Sequence, residues 1–169
     1  APNAYLVLGF RAPEALADAY RELLAGDVQP RMRADLVTGV GMTTTPLGLE
    51  IAKLALENDP SPDVRLQAVF ALTARRDPAL GEAALQQALD DPRIARDPLR
   101  LSAVVLALQN LETTGDLNAL HRVGQRLQTM ALSEASRQTL AGILARGLPT
   151  SVAGVGRTGA TDEPGQDPR

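Results

Sequence analysis

His121 is the single histidine of a 169-residue chain that has no cysteine. A transition-metal cluster or a thiolate nucleophile is therefore out of reach of its side chains. His121 sits beside Arg122 on the polar side of a predicted helix, with no Ser, Cys or acidic residue at a catalytic spacing, and reads as a solvated surface residue. Asp90-Asp91 places two carboxylates side by side, but immediately before Pro92, where Asp serves turn chemistry. General acid–base work needs two carboxylates with separated pKa values in a cleft, and adjacency does not supply that. Gly154, Gly156 and Gly159 spell G-x-G-x-x-G, the string that cradles a dinucleotide when a strand precedes it and a helix follows. Here neither pattern flanks it, so it reads as linker composition. No catalytic residue, metal ligand or cofactor is expected from these positions.

Charge narrows the partners. Seventeen Lys and Arg stand against twenty Asp and Glu, a net charge of -3, which leaves no basic face for a phosphate backbone. Nucleic acid is not an expected partner. No uninterrupted apolar run reaches the roughly 18 residues of a membrane span, so no membrane insertion is expected. The chain starts Ala1-Pro2-Asn3, a start given either by cleavage after a small residue or by trimming, and export is slightly favoured over a cytoplasmic location.

The elements that would position any site are helices. Aromatics make up 2% of the chain, Ala and Leu dominate, and β-branched runs of period two are missing. Thr45-Pro46, Ser61-Pro62, Asp77-Pro78 and Asp97-Pro98 each offer a side-chain oxygen for an orphan N–H and a proline preset for the first helical turn. Further segments begin near Pro13, Pro30, Asp116 and Ser133, giving eight short helices. Every second one carries the same string: apolar, Arg, two variable, apolar, two variable, two small or apolar. The copies are Met32-Arg33, Leu36, Gly39-Val40; Val64-Arg65, Ala68, Ala71-Leu72; Leu99-Arg100, Ala103, Leu106-Ala107; and Ser136-Arg137, Leu140, Ile143-Leu144. The arginines are 32, 35 and 37 residues apart, one helix–turn–helix unit each. The fold predicted is all-α, a short α-solenoid of four antiparallel helix pairs over residues 13 to 148.

In Asp59-Pro60-Ser61-Pro62-Asp63-Val64-Arg65, followed by Ala68 and Ala71-Leu72, the chain resembles the HEAT and HEAT-like helical repeat family. The resemblance implies a structural ladder, in which Asp59, Asp63, Asp91 and Asp97 pair with Arg65 and Arg100 within or between repeats. Arg33 and Arg137 stand at the same place in their own copies of the string. Gly39 and Gly41 depart from the pattern, at a cost of about 1 kcal/mol each relative to Ala, and predict a frayed or bent end to that helix. Enzymatic members of the wider family show what is missing. The hydroxylases carry His-Glu pairs, of which this chain has none, and the DNA glycosylases use a basic, aromatic face. Phycobilin lyases have a diffuse signature and leave a lyase or other small-molecule enzyme as the alternative reading.

At about 100° per residue, Val64, Ala68, Ala71 and Leu72 are expected to face their own partner helix, and Leu66, Phe70 and Thr73 roughly the opposite way. The same offset in the third pair selects Leu101, Val105 and Leu108. Two readings stand: interior repeats bury more faces because they are flanked on both sides, or the six residues line a concave groove for a protein or peptide. On the second, the chain is a non-enzymatic interaction module or scaffold subunit. Residues 1–12, with Tyr5 to Phe10 at their centre, form an apolar arm or cap ahead of the first helix, or the contact of a structural subunit with its complex, and residues 149–169 form a flexible tail.

Overall fold

The computed structural model describes the backbone of residues 2–147 and the side chains of residues 7–147. The tail, with Gly154, Gly156 and Gly159, lies outside the described residues, as does the side chain of Tyr5. Helices follow one another throughout: α1 Pro2–Arg11, α2 Pro13–Ala25, α3 Pro30–Gly41, α4 Pro46–Asn58, α5 Pro62–Thr73, α6 Pro78–Asp90, α7 Pro92–Ala95, α8 Pro98–Glu112, α9 Leu117–Gln128 and α10 Glu134–Arg146.

The caps start these helices as the side-chain chemistry dictates. Thr45 Oγ1 accepts from Gly48 N at 3.1 Å, Asp77 Oδ1 from Leu80 N at 3.1 Å and Asp97 Oδ1 from Leu99 N at 2.9 Å. Asp116 and Ser133 cap α9 and α10 in the same way, at 3.0 and 3.1 Å. Ser61 is the exception, for its hydroxyl makes no cap bond. Its backbone N–H donates instead to Asp59 Oδ1 at 2.9 Å, so the preceding Asp organises that turn. Asp77→Ala is therefore expected to cost about 1 kcal/mol, and Ser61→Ala less than about 0.5 kcal/mol, in urea unfolding followed by circular dichroism.

The helices stack in two layers. α2, α4, α6 and α9 form the first, each packed on its neighbours in order; α1, α3, α5, α8 and α10 form the second. The pairs α2/α3, α4/α5, α6/α8 and α9/α10 make a short α-solenoid, with one continuous apolar core between and within the layers. Within residues 1–12, read from the sequence as an arm or cap, α1 is a helix packed on α3 in the second layer. The fit requires glycine: a Cβ on Gly9 would overlap the carbonyl of Gly39. Gly41 of α3 has a similar cause. A Cβ on Gly41 would lie 3.1 Å from Ala71 Cβ of α5, so small residues let second-layer backbones approach, and α3 runs through Gly41 instead of fraying.

The single turn α7 changes the register of the third repeat. Asp91 Oδ1 accepts from Arg93 N at 2.9 Å and caps this turn, which lengthens the connection from α6 to α8. Ala68, Val69, Ala71 and Leu72, all buried in α5, find their counterparts in Val104, Val105, Ala107 and Leu108 of α8. That is one residue beyond the alignment given by the arginine string. The slip puts Leu101, not Arg100, in the place of Arg65.

Candidate interaction surface

Arg33 and Asp59 form the first rung of a ladder between successive pairs. Both are buried, and the guanidinium meets the carboxylate in two parallel bonds, Nε to Oδ2 and Nη2 to Oδ1, each 2.9 Å. Tyr20, buried in α2, donates its hydroxyl to Oδ2 at 3.1 Å, and Arg33 Nη1 donates to the carbonyl of Val28. Burial first, then the Asp59 carboxylate, push the Tyr20 hydroxyl well above its ordinary pKa and keep it a donor. Arg65 repeats the arrangement 26 residues before Asp91, as Arg33 does before Asp59, but more loosely, at 3.4 Å. Arg93 donates to the same Asp91, and its hydrogen bond is the largest cause holding that carboxyl below the usual range. At the third rung the same interval separates Leu101 and Leu127, both fully buried, so the positions held by Arg and Asp in the first two rungs are apolar there.

Arg100, displaced by the slip, reaches back to Asp63 of α5 at 2.8 Å and to Asp97 at 2.9 Å, on the half-exposed rim. Asp63 and Asp97 thus both pair with Arg100, while Asp59 pairs with Arg33 and not with Arg65 or Arg100. Arg137 meets Glu134 of its own helix at 3.4 Å. Arg75, which the sequence reading passed over, donates from Nη2 to the carbonyls of Gly41 and Thr43, at 2.8 and 2.5 Å, and clamps the end of α3; desolvation lowers its pKa.

The expected groove anchors lie elsewhere. Leu66, Thr73, Leu101, Val105 and Leu108 are all buried, and Phe70 alone of the six is half-exposed. Val64 and Ala71 are both buried, and Ala71 Cβ stands beside Gly41 of the preceding second-layer helix. Thr73, placed by the sequence on the opposite side, lies on the flank toward α8. There Asn110 Nδ2 of α8 donates to Thr73 Oγ1 at 2.9 Å.

The uncovered stripe of α5 is Asp63, Gln67, Phe70 and Ala74, and that of α8 includes Leu99, Ser102, Leu106 and Gln109. Leu99 is 82% exposed and Leu106 51%. Between α8 and α10 the surface dips into a pocket of about 170 Å³ lined by Ser102, Val105, Leu106, Ala135, Ser136 and Thr139. Hydroxyls close its floor: Ser102 Oγ and Ser136 Oγ are 2.6 Å apart, and Ser133 donates to Ser136 at 2.9 Å. A neighbouring polar contact, Thr38 Oγ1 to Gln67 Oε1 at 3.1 Å, links α3 to α5 on the same face.

The remaining chemistry candidates separate. Asp91 is buried in its cap while Asp90 is exposed and pairs with Arg126 at 2.5 Å, so the two adjacent carboxylates serve different elements. His121 is half-exposed on α9. Among the described residues, no group of three or more His, Asp and Glu side chains stands together as a metal site. No described helix is long and apolar enough to cross a membrane. Set against family models, curated proteins and solved structures, the chain matches none.

Proposed function

We propose that the chain is a HEAT-like, non-enzymatic protein-interaction module that holds a partner's helix or extended segment on the outer face of its second layer. The observation that supports this most is the pairing of exposed Leu99 and Leu106 with half-exposed Phe70 on one face, next to a pocket sized for a single apolar side chain. Gln67, Ser102, Gln109 and Thr139 supply polar rim groups around these anchors, the mixture a peptide groove uses. Small-molecule sites run to about 300–1,000 Å³, well above the volume between α8 and α10, which weighs against the enzymatic alternative there.

Leu106→Asp tests the reading. The side chain is exposed, so the fold should survive with unchanged helix content. A partner recovered in stoichiometric amount by the tagged wild-type chain from its native cell should be lost. A partner retained equally by Leu106→Asp and Phe70→Asp would overturn this face as the binding surface.

A further inference from the structure

The pocket between α8 and α10 has room for one side chain, and the hydrogen bonds at its floor decide of what kind. Three hydroxyls meet there, and each has one proton to give. The carbonyl of Pro98 only accepts, so Ser102 Oγ, 2.9 Å away, spends its proton on it. Ser136 is then the donor of the 2.6 Å bond to Ser102, and Ser133 gives its proton to Ser136 at 2.9 Å. The backbone N–H of Ser136 is taken by Ser133 Oγ at 3.1 Å. Thr139, the remaining hydroxyl of the lining, donates to the carbonyl of Ala135 at 3.0 Å. No side chain lining the pocket keeps a proton to give, whereas Ser102, Ser136 and Thr139 keep lone pairs.

A floor that only accepts sorts its ligands. A carboxylate or a phosphate meets no side-chain donor. An ammonium or guanidinium carries donors, but would leave water for neutral hydroxyls and the apolar walls of Val105, Leu106 and Ala135, at a desolvation cost. A phenol brings lone pairs of its own to the same floor. An indole has one N–H, no acceptor and a large apolar body, and tryptophan is enriched among the residues that dominate protein interfaces. Size agrees, since a cavity of about 150 Å³ holds a benzene ring and this pocket, at about 170 Å³, opens to the surface beside exposed Leu106.

We infer that the pocket is an indole site: resting on the binding face proposed above, it seats a tryptophan of the partner, whose Nε1–H donates to the free lone pair of Ser102 or Ser136.

Indole and 1-methylindole, titrated into the full chain, test this through the methyl resonances of Val105 and Leu106. Indole should move these signals saturably, and 1-methylindole, which has lost the N–H, should bind about fivefold more weakly, as the loss of one neutral hydrogen bond requires. Ser102→Ala removes an acceptor and leaves the Ser136 proton without one, so it should weaken indole by about the same factor and leave 1-methylindole unchanged. Indole that leaves both residues unmoved, 1-methylindole binding as tightly as indole, or benzoate binding there more tightly than indole would each overturn the assignment. A partner lost from Leu106→Asp while indole fails to bind would overturn the indole site and leave the binding face standing. A partner kept by Leu106→Asp while indole binds the wild type would overturn the tryptophan of a protein partner as the occupant and leave the pocket a site for free indoles.

Discussion

Asp59→Ala is expected to lower the unfolding free energy by about 3–5 kcal/mol, the range seen when one partner of a buried ion pair is removed. Four donors lose their acceptor at once: Arg33 Nε and Nη2, the Tyr20 hydroxyl and the Ser61 backbone N–H. The Arg33 guanidinium stays buried, and its other acidic neighbour, Asp27, stands at 3.5 Å and is largely exposed. A domain of this size holds only about 5–15 kcal/mol in total, so the variant should sit at the edge of folding near 37 °C. Replacing both charges, as Arg33→Met with Asp59→Leu, should recover part of the loss, because no desolvated charge is left behind. Arg65→Ala, at the looser and partly hydrated second rung, should cost about 1 kcal/mol. Urea denaturation of Arg33→Met, Asp59→Leu and the double variant gives the coupling energy directly. A loss below about 1 kcal/mol for Asp59→Ala would mean that water reaches the first rung and that the burial argument is wrong.

Capping chemistry and helical periodicity are local, which is why they could be read before any packing was known. Thr45, Asp77 and Asp97 sit at the caps their sequence context predicts, and the four helix pairs follow from them. Other features depend on neighbours that a linear pattern does not contain. Gly9 and Gly39 look like helix-weakening residues until two backbones are brought together, and only then does their pairing identify α1 as a member of the stack. Ser61 carries a capping side chain, yet Asp59, two residues earlier, holds its N–H because the first rung has already fixed that carboxylate. The direction of the partner helix was the least legible quantity of all. An apolar stripe says that a face is covered, not by which neighbour, and in a two-layer stack a second-layer helix has three covered sides.

That ambiguity makes Leu101 and Leu106 the sharpest pair to compare. The arginine string aligns Leu106 with buried Ala71 and Leu101 with buried Leu66, whereas with the extra turn at α7 only Leu101 stays buried and Leu106 is exposed. One residue of slip turns a helix by about 100°, enough to exchange core for surface. Leu101→Asp puts a carboxylate where the leucine is fully buried, a cost of several kcal/mol, comparable with the whole stability of such a domain. It should abolish the cooperative thermal transition. Leu106→Asp replaces an exposed side chain and should change stability by less than about 0.5 kcal/mol. The thermal melt of Leu106→Asp decides between the registers, because the arginine-based alignment puts Leu106 in the place of buried Ala71 and requires Leu106→Asp to unfold, whereas either alignment leaves Leu101 in the core. The same comparison bears on function, since only a Leu106 that is dispensable for folding is available to anchor a partner.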